Sequence, residues 1–143
     1  AGVLGTLSPL SHIDPNIWNQ VLSVNLTANW CLLRAMHPLL QASEAGRALF
    51  VTSTVGREAR AYWGPYAVSK SGLEMMTKIY AEEISKTSIR ANLINPGATQ
   101  TQMRAQAMPG ENPAKLPFPR DKTDLFLKLA LPGCKSNGEL FTA

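Results

Sequence analysis

A short unbroken apolar run, Arg47-Ala-Leu-Phe-Val-Thr-Ser53, lies between two long stretches with helical periodicity. Such a run suits a parallel strand covered on both faces, since a strand with one wet face alternates apolar and polar residues. Upstream, Asp14-Pro15 marks a helix start, with Asp14 at the N-cap and proline at the first helical position, where a missing N–H costs nothing. Ile17, Val21, Leu22, Val24, Leu26, Leu32 and Leu33 then form a wide apolar face. The pattern predicts a long buried helix whose last turns are kinked or loosened by Pro38. Gly56 and the charged residues after it read as a loop, and Gly64-Pro65 opens a second helix through Leu73, Met76, Ile79, Tyr80 and Ile84 to about Lys86.

Ile89-Arg-Ala-Asn-Leu-Ile-Asn95 is the next strand, stopped by Pro96-Gly97. Residues 108–119 carry four prolines, Pro109, Pro113, Pro117 and Pro119, and exclude regular structure. A short helix is expected over about 121–131, ended by Pro132-Gly133, with Gly138-Glu-Leu-Phe-Thr as a last strand. Helix and strand in strict alternation specify a parallel α/β sheet. With 143 residues the chain makes one domain.

Net charge is +4, but the basic residues are scattered from Arg34 to Lys135 without a run or interleaved aromatics. That distribution is a solvated surface, not a nucleic-acid face. No apolar run reaches membrane-spanning length, and Ala1-Gly-Val-Leu-Gly-Thr has no basic segment ahead of an apolar one, as a secretory signal would. Cys31 and Cys134 lack metal-ligand spacing, and Cys31 sits in a helical apolar pattern that reads as core packing. His12 and His37 stand apart from other ligand types, so no metal site is expected. A reducing cytoplasm fits this cysteine usage. Met75, Met76, Met103 and Met108 read as core or lid packing.

The chemistry concentrates in Tyr66-Ala-Val-Ser-Lys70. Tyrosine and lysine at i and i+4 share a helix face, with Cβ atoms about 5–6 Å apart. An ammonium there favours the ionised phenol, which otherwise titrates near 10, too high for efficient proton exchange at neutral pH. Ser53, thirteen residues upstream at a strand end, could hold a carbonyl oxygen against that phenol. Thr54 is its rival, because a shift of one residue on a strand reverses the face. Arg57 and Arg60 are exposed loop arginines or, alternatively, cations for an anionic substrate at the cleft rim.

Val24-Asn25-Leu26, Val51-Thr52-Ser53, Tyr66-Ala-Val-Ser-Lys70 and Asn95-Pro-Gly-Ala-Thr-Gln-Thr101 stand in the order and spacing of the short-chain dehydrogenase/reductase family, which the chain resembles over essentially its whole length. The stretches 55–66 and 95–109 resemble more narrowly its YciK-type bacterial branch. The resemblance implies the C-terminal part of a Rossmann-type doubly wound parallel sheet. It implies an oxidoreductase that moves a hydride between NAD or NADP and a small-molecule alcohol/carbonyl substrate. Tyr66 would be the proton donor or acceptor, and Lys70 would lower its pKa and bind the nicotinamide ribose. Ser53 would orient the substrate oxygen, and Asn25 would hold a water linking Lys70 to solvent. Pro96, Gly97, Thr99 and Thr101 would meet the nicotinamide end of the cofactor, and 108–119 would be a substrate-side lid. The two long helices would carry a homo-oligomer interface, as in the family.

The chain departs from the family pattern in having no Gly-x-Gly-x-x-Gly or similar cluster for the cofactor phosphates. The first strands of the family fold are also unaccounted for, with Ala1-Gly2 resembling the tail of the family's Asn-Asn-Ala-Gly segment at the end of the fourth strand. The expectation is that 47–53 lacks one sheet neighbour and presents an open apolar edge, and that the helix at 15–40 loses cover. The chain alone is then expected to bind cofactor poorly, to self-associate and to be inactive. The alternative reading is a truncated, non-catalytic fragment or interaction module.

Overall fold

Five α-helices and three strands alternate along the computed structural model, which describes residues 1–143. Strands β1 (Arg47–Val51), β2 (Arg90–Asn95) and β3 (Leu140–Thr142) form one sheet in the order β1-β2-β3. All pairs are parallel, with Arg47 opposite Arg90 and Leu93 opposite Leu140. β2 is central and buried from Ala91 to Asn95, whereas β1 is an edge whose Val51 is 42% exposed. The sheet neighbour expected to be missing beside 47–53 is seen as the open edge of β1, and the faces of that strand are only partly buried.

Helix α1 (Pro15–Leu22) begins as the sequence specifies, with the Asp14 carboxylate accepting from Asn16 N–H at 2.7 Å. It runs into a wider π-helical turn, Ser23–Thr27, and then α2 (Ala28–Ala42). The loosening expected at Pro38 lies instead at this turn, where Ala28 N–H reaches back to the Ser23 carbonyl. Helix α2 continues through Pro38, whose missing bond falls at an exposed position where solvent serves the freed carbonyl. None of the α2 residues is buried, and Leu32, Met36 and Leu39 are 62%, 47% and 63% exposed. Cys31 is exposed too, which corrects its reading as core packing: the apolar pattern is present, but nothing covers that face.

Helix α3 (Gly64–Glu83) holds the core together. Leu73, Tyr80, Ala81 and Ile84 pack with Phe50 of β1 and Ile89, Ala91 and Leu93 around β2. Burying a side chain such as Leu73, 1% exposed, contributes about 1.5–3 kcal/mol. The helix stops near Ile84 rather than Lys86, as Thr87 turns back to donate its hydroxyl to the Ile84 carbonyl at 2.8 Å. After β2, a short helix α4 (Gln102–Ala107) was not predicted; Thr101 caps it by accepting from Arg104 N–H at 3.1 Å. The proline-rich 108–119 stretch is not wholly irregular, since Pro113–Lys115 forms a 3-10 turn and a second one opens at Pro119. Proline's fixed φ suits the first residue of such a turn. Helix α5 (Thr123–Ala130) follows. No helix is long and apolar enough to cross a membrane.

Candidate active site

The first turns of α3, the end of β1, the loop after β2 and helix α4 enclose an open cleft of about 410 Å³. Tyr66, Lys70, Ser53, Pro96, Gly97, Thr99 and Thr101 all line it, so seven of the eight residues singled out by sequence converge there. The eighth, Asn25, stands behind the wall.

Lys70 is 5% exposed and its Nζ lies 5.6 Å from the centre of the Tyr66 ring. Its hydrogen bond goes to the Val51 carbonyl at 2.9 Å. Burial pulls Lys70 down to about 8, because a cation loses hydration there. The phenol of Tyr66 is pushed up by burial, and the Ser53 side chain pulls it part of the way back. The lowering of Tyr66 by Lys70 expected from their spacing is thus not the dominant influence. Desolvation outweighs it, and Nζ is turned over the ring face and bound to a main-chain oxygen.

Thr54, the rival of Ser53, has its hydroxyl engaged, accepting from Asn95 Nδ2 at 3.0 Å outside the cleft lining. The same Asn95 accepts from Gly97 N–H at 3.1 Å. Its side chain therefore sets the Pro96-Gly97 turn against the end of β1. Gly97 has φ +69°, which a residue with a Cβ adopts only under strain. Thr101 Oγ is the α4 cap acceptor but keeps its own proton to donate into the cleft. Thr99 Oγ makes only long contacts to the Pro96 and Gly97 carbonyls, at 3.4 and 3.3 Å.

Asn25 is fully buried at the π-helical turn, and π-turns of this kind often mark functional sites. Its amide N–H groups donate to the Val3 carbonyl at 2.9 Å and to Ser69 Oγ at 3.1 Å, and its oxygen accepts from Val3 N–H at 2.8 Å. Both donors are therefore used, leaving only the second lone pair of Oδ1 for a water. A Cβ on Gly2 would make ordinary van der Waals contact with that oxygen, at 3.5 Å, and with Lys70 Nζ, at 3.9 Å.

Sequence reasoning missed several residues at the cleft. Leu4, Trp63 and Ala107 join Met103 in an apolar wall, and Arg104 lines it with its guanidinium held by Glu111 at 2.6 and 2.8 Å. The run of strong helix formers at 102–107 behind a threonine cap was the available signal. Met103 and Met108 pack against the Leu4–Val55–Trp63 cluster and Met76 against the main core, as read, while Met75 is 58% exposed. Arg57 pairs with Glu74 at 3.4 Å, and Arg60 stacks over Trp63 at 5.2 Å. Neither lines the cleft.

Residues 1–112 match the family model described as short chain dehydrogenase. The chain belongs to the short-chain dehydrogenase/reductase family. It is 46% identical over 129 residues to an uncharacterized oxidoreductase, YciK, of Escherichia coli K12, covering 90% of this chain and 51% of that protein. A short chain dehydrogenase structure from Salmonella enterica serovar Typhi superposes with a TM-score of 0.95 at 45% identity, covering 99% of this chain and 59% of that one. A short chain dehydrogenase from Escherichia coli CFT073, complexed with NADPH, superposes with a TM-score of 0.94 at 43% identity, again covering 99% and 59%. The chain therefore spans a little over half the length of these relatives and holds part of their Rossmann-type α/β fold.

Proposed function

We propose that this chain carries the acid–base part of an NAD(P)-dependent oxidoreductase site acting on an alcohol/carbonyl pair. The observation that supports it most is the convergence of Tyr66, Lys70 and Ser53 in one cleft with the Pro96-Gly97 turn and Thr101. Family membership and the NADPH carried by a close structural relative point the same way. The residues present fit the nicotinamide end of such a cofactor. Lys70 and Thr101 offer donors suited to ribose and carboxamide, and Gly97 allows close backbone approach. No glycine cluster suited to the phosphates occurs in the sequence.

The cofactor would supply or accept the hydride. Tyr66 Oη gives its proton to the substrate oxygen as a carbonyl becomes an alcohol, and takes it back in the reverse direction. A phenol pushed up by burial is protonated at neutral pH and stands ready as the acid for carbonyl reduction. Ser53, at the end of β1, holds the substrate oxygen and offsets part of the cost of the phenolate. Lys70 stabilises that phenolate while it remains charged. We assign Met103, Ala107 and the 108–119 segment to a substrate-side lid. We also assign a homo-oligomer contact to the groove between α2 and α3, where Trp30, Met75 and Ile79 are 50%, 58% and 53% exposed.

The test compares the chain, and a chimera joining it to the segment of Escherichia coli YciK that it does not match, with their Tyr66→Phe variants. Turnover of a carbonyl panel with NADH and NADPH should fall about 10²–10⁴-fold, with cofactor affinity nearly unchanged. Retained turnover in Tyr66→Phe removes the tyrosine from this role.

A further inference from the structure

Glu74 is the one carboxylate on the face of α3 that bears the proposed site, following Tyr66 and Lys70 at steps of four residues. Its side chain is only 5% exposed, and a carboxylate is rarely buried so deeply unless it is paired. Two partners hold it, and both come from the segment that carries Ser53. Thr52 Oγ donates to Glu74 Oε1 at 2.6 Å on one side of Ser53, and Arg57 Nε meets the same oxygen at 3.4 Å on the other. The intervening backbone lies tight against the carboxylate, since a Cβ on Gly56 would come within 3.0 Å of Oε1. The Ser53 carbonyl accepts from Gly56 N–H at 2.9 Å, and Thr52 N–H donates to the Ile94 carbonyl at 2.8 Å, so main-chain bonds tie Ser53 to its own turn and to β2, while the Glu74 contacts tie that turn to α3.

We infer that Glu74 is a positioning residue: by clamping Thr52 and Arg57 onto α3 it fixes the distance between Ser53 and Tyr66, two groups that sit on different elements. The inference rests on the hydride-transfer reading of the cleft for its significance, but not for its test. It assigns the clamp to the hydroxyl–carboxylate bond chiefly, because the arginine is 40% exposed and exposed pairs hold weakly.

The charged side chains that share the cleft with Tyr66 are Lys70 from its own helix and Arg104 from α4, and Glu74 lies outside that lining, two turns further along α3. Removing a negative charge near a phenol makes ionisation easier, whereas removing a hydrogen-bond donor to the phenolate makes it harder. The two roles open to Glu74 therefore move Tyr66 in opposite directions. The experiment titrates Tyr66 in the 143-residue chain by ring NMR shifts, with Tyr66→Phe identifying its signal. Glu74→Ala should move the titration to higher pH, as Ser53→Ala does, and should add nothing to Ser53→Ala. Glu74→Gln, which keeps an acceptor for Thr52, should not move it upward. Thr52→Val cuts the main anchor while sparing the charge, and should also raise the titration if Glu74→Ala does not fold. A titration unmoved or lowered in Glu74→Ala, or in Thr52→Val, overturns the positioning role. Loss of turnover in Tyr66→Phe is read separately, so failure of the hydride-transfer reading is distinguishable from failure of the clamp.

Discussion

Lys70 Nζ donates to the Val51 carbonyl at 2.9 Å, tying a buried cation on α3 to the last residue of an edge strand. The bond serves both partners. The carbonyl lies where β1 has no neighbouring strand, and the ammonium has exchanged most of its water for this one oxygen. One acceptor is a poor replacement for hydration, which is why the lysine is pulled down to about 8.

This sets the sign of a pH effect on stability. The folded chain holds Lys70 less basic than its ordinary value of 10.5. Between about 8 and that value the unfolded state binds the extra proton, so stability from this group grows as pH rises and is lost as pH falls through about 8. Urea midpoints measured at pH 7.5 and 9.5 should therefore shift upward more in the wild-type chain than in Lys70→Met. An equal shift in both would show that the buried ammonium is not the source.

The hydroxyls of Ser53 and Thr54 are adjacent but face different partners. Ser53→Ala should raise the Tyr66 titration and, in an active chimera, lower turnover about 10-fold or more, within the range of a lost oriented contact. Thr54→Val instead removes the acceptor of the Asn95 amide. It should cost about 1–3 kcal/mol of stability with the Tyr66 titration in place. Equal effects of both variants on Tyr66 would contradict this division.

Much of this arrangement was legible in the sequence because it is local. The Tyr66–Lys70 spacing, the Asp14-Pro15 start and the Pro96-Gly97 stop each depend on neighbours a few residues away. The direction of Lys70 Nζ was not legible, since it depends on an edge carbonyl nineteen residues upstream in the chain. Nor was the π-turn at Asn25, a residue that makes a two-way hydrogen bond to Val3 at a separation of 22 residues. Periodicity read Cys31 as covered because it reports that a face is apolar, not that something covers it, and the loss of cover over 15–40 was expected only from the family resemblance.

The proposed lid is fastened at its start by one ion pair. Arg104 from α4 grips Glu111 with two bonds of 2.6 and 2.8 Å, and this holds the Glu111 carboxyl below its ordinary value. A carboxyl lowered in the folded state contributes above its unfolded value of 4.5, and the contribution is lost as pH falls. Hydrogen-exchange protection across 108–119, taken relative to the intrinsic exchange rate at each pH, should fall in Glu111→Gln at pH 7, and should fall in the wild type on going to pH 4. Protection there that is indifferent to both changes would mean that the segment is held by other contacts, such as the Gln100 N–H to Pro117 carbonyl bond at 2.9 Å.

Two apolar surfaces compete to explain how this chain should associate, and they differ in kind. The open side of β1 offers main-chain groups beside Val51, 42% exposed, on which a strand of another chain can pair. The α2–α3 groove offers side chains only, and two copies can close on each other there. Ile79→Glu should therefore remove a discrete small oligomer in sedimentation velocity while leaving any growing species. Val51→Lys should do the reverse, since a charge on an edge strand blocks further pairing. A wild-type chain that stays monomeric at high micromolar concentration would sink both assignments. Loss of all association in Val51→Lys alone would transfer the contact from the helices to the strand edge.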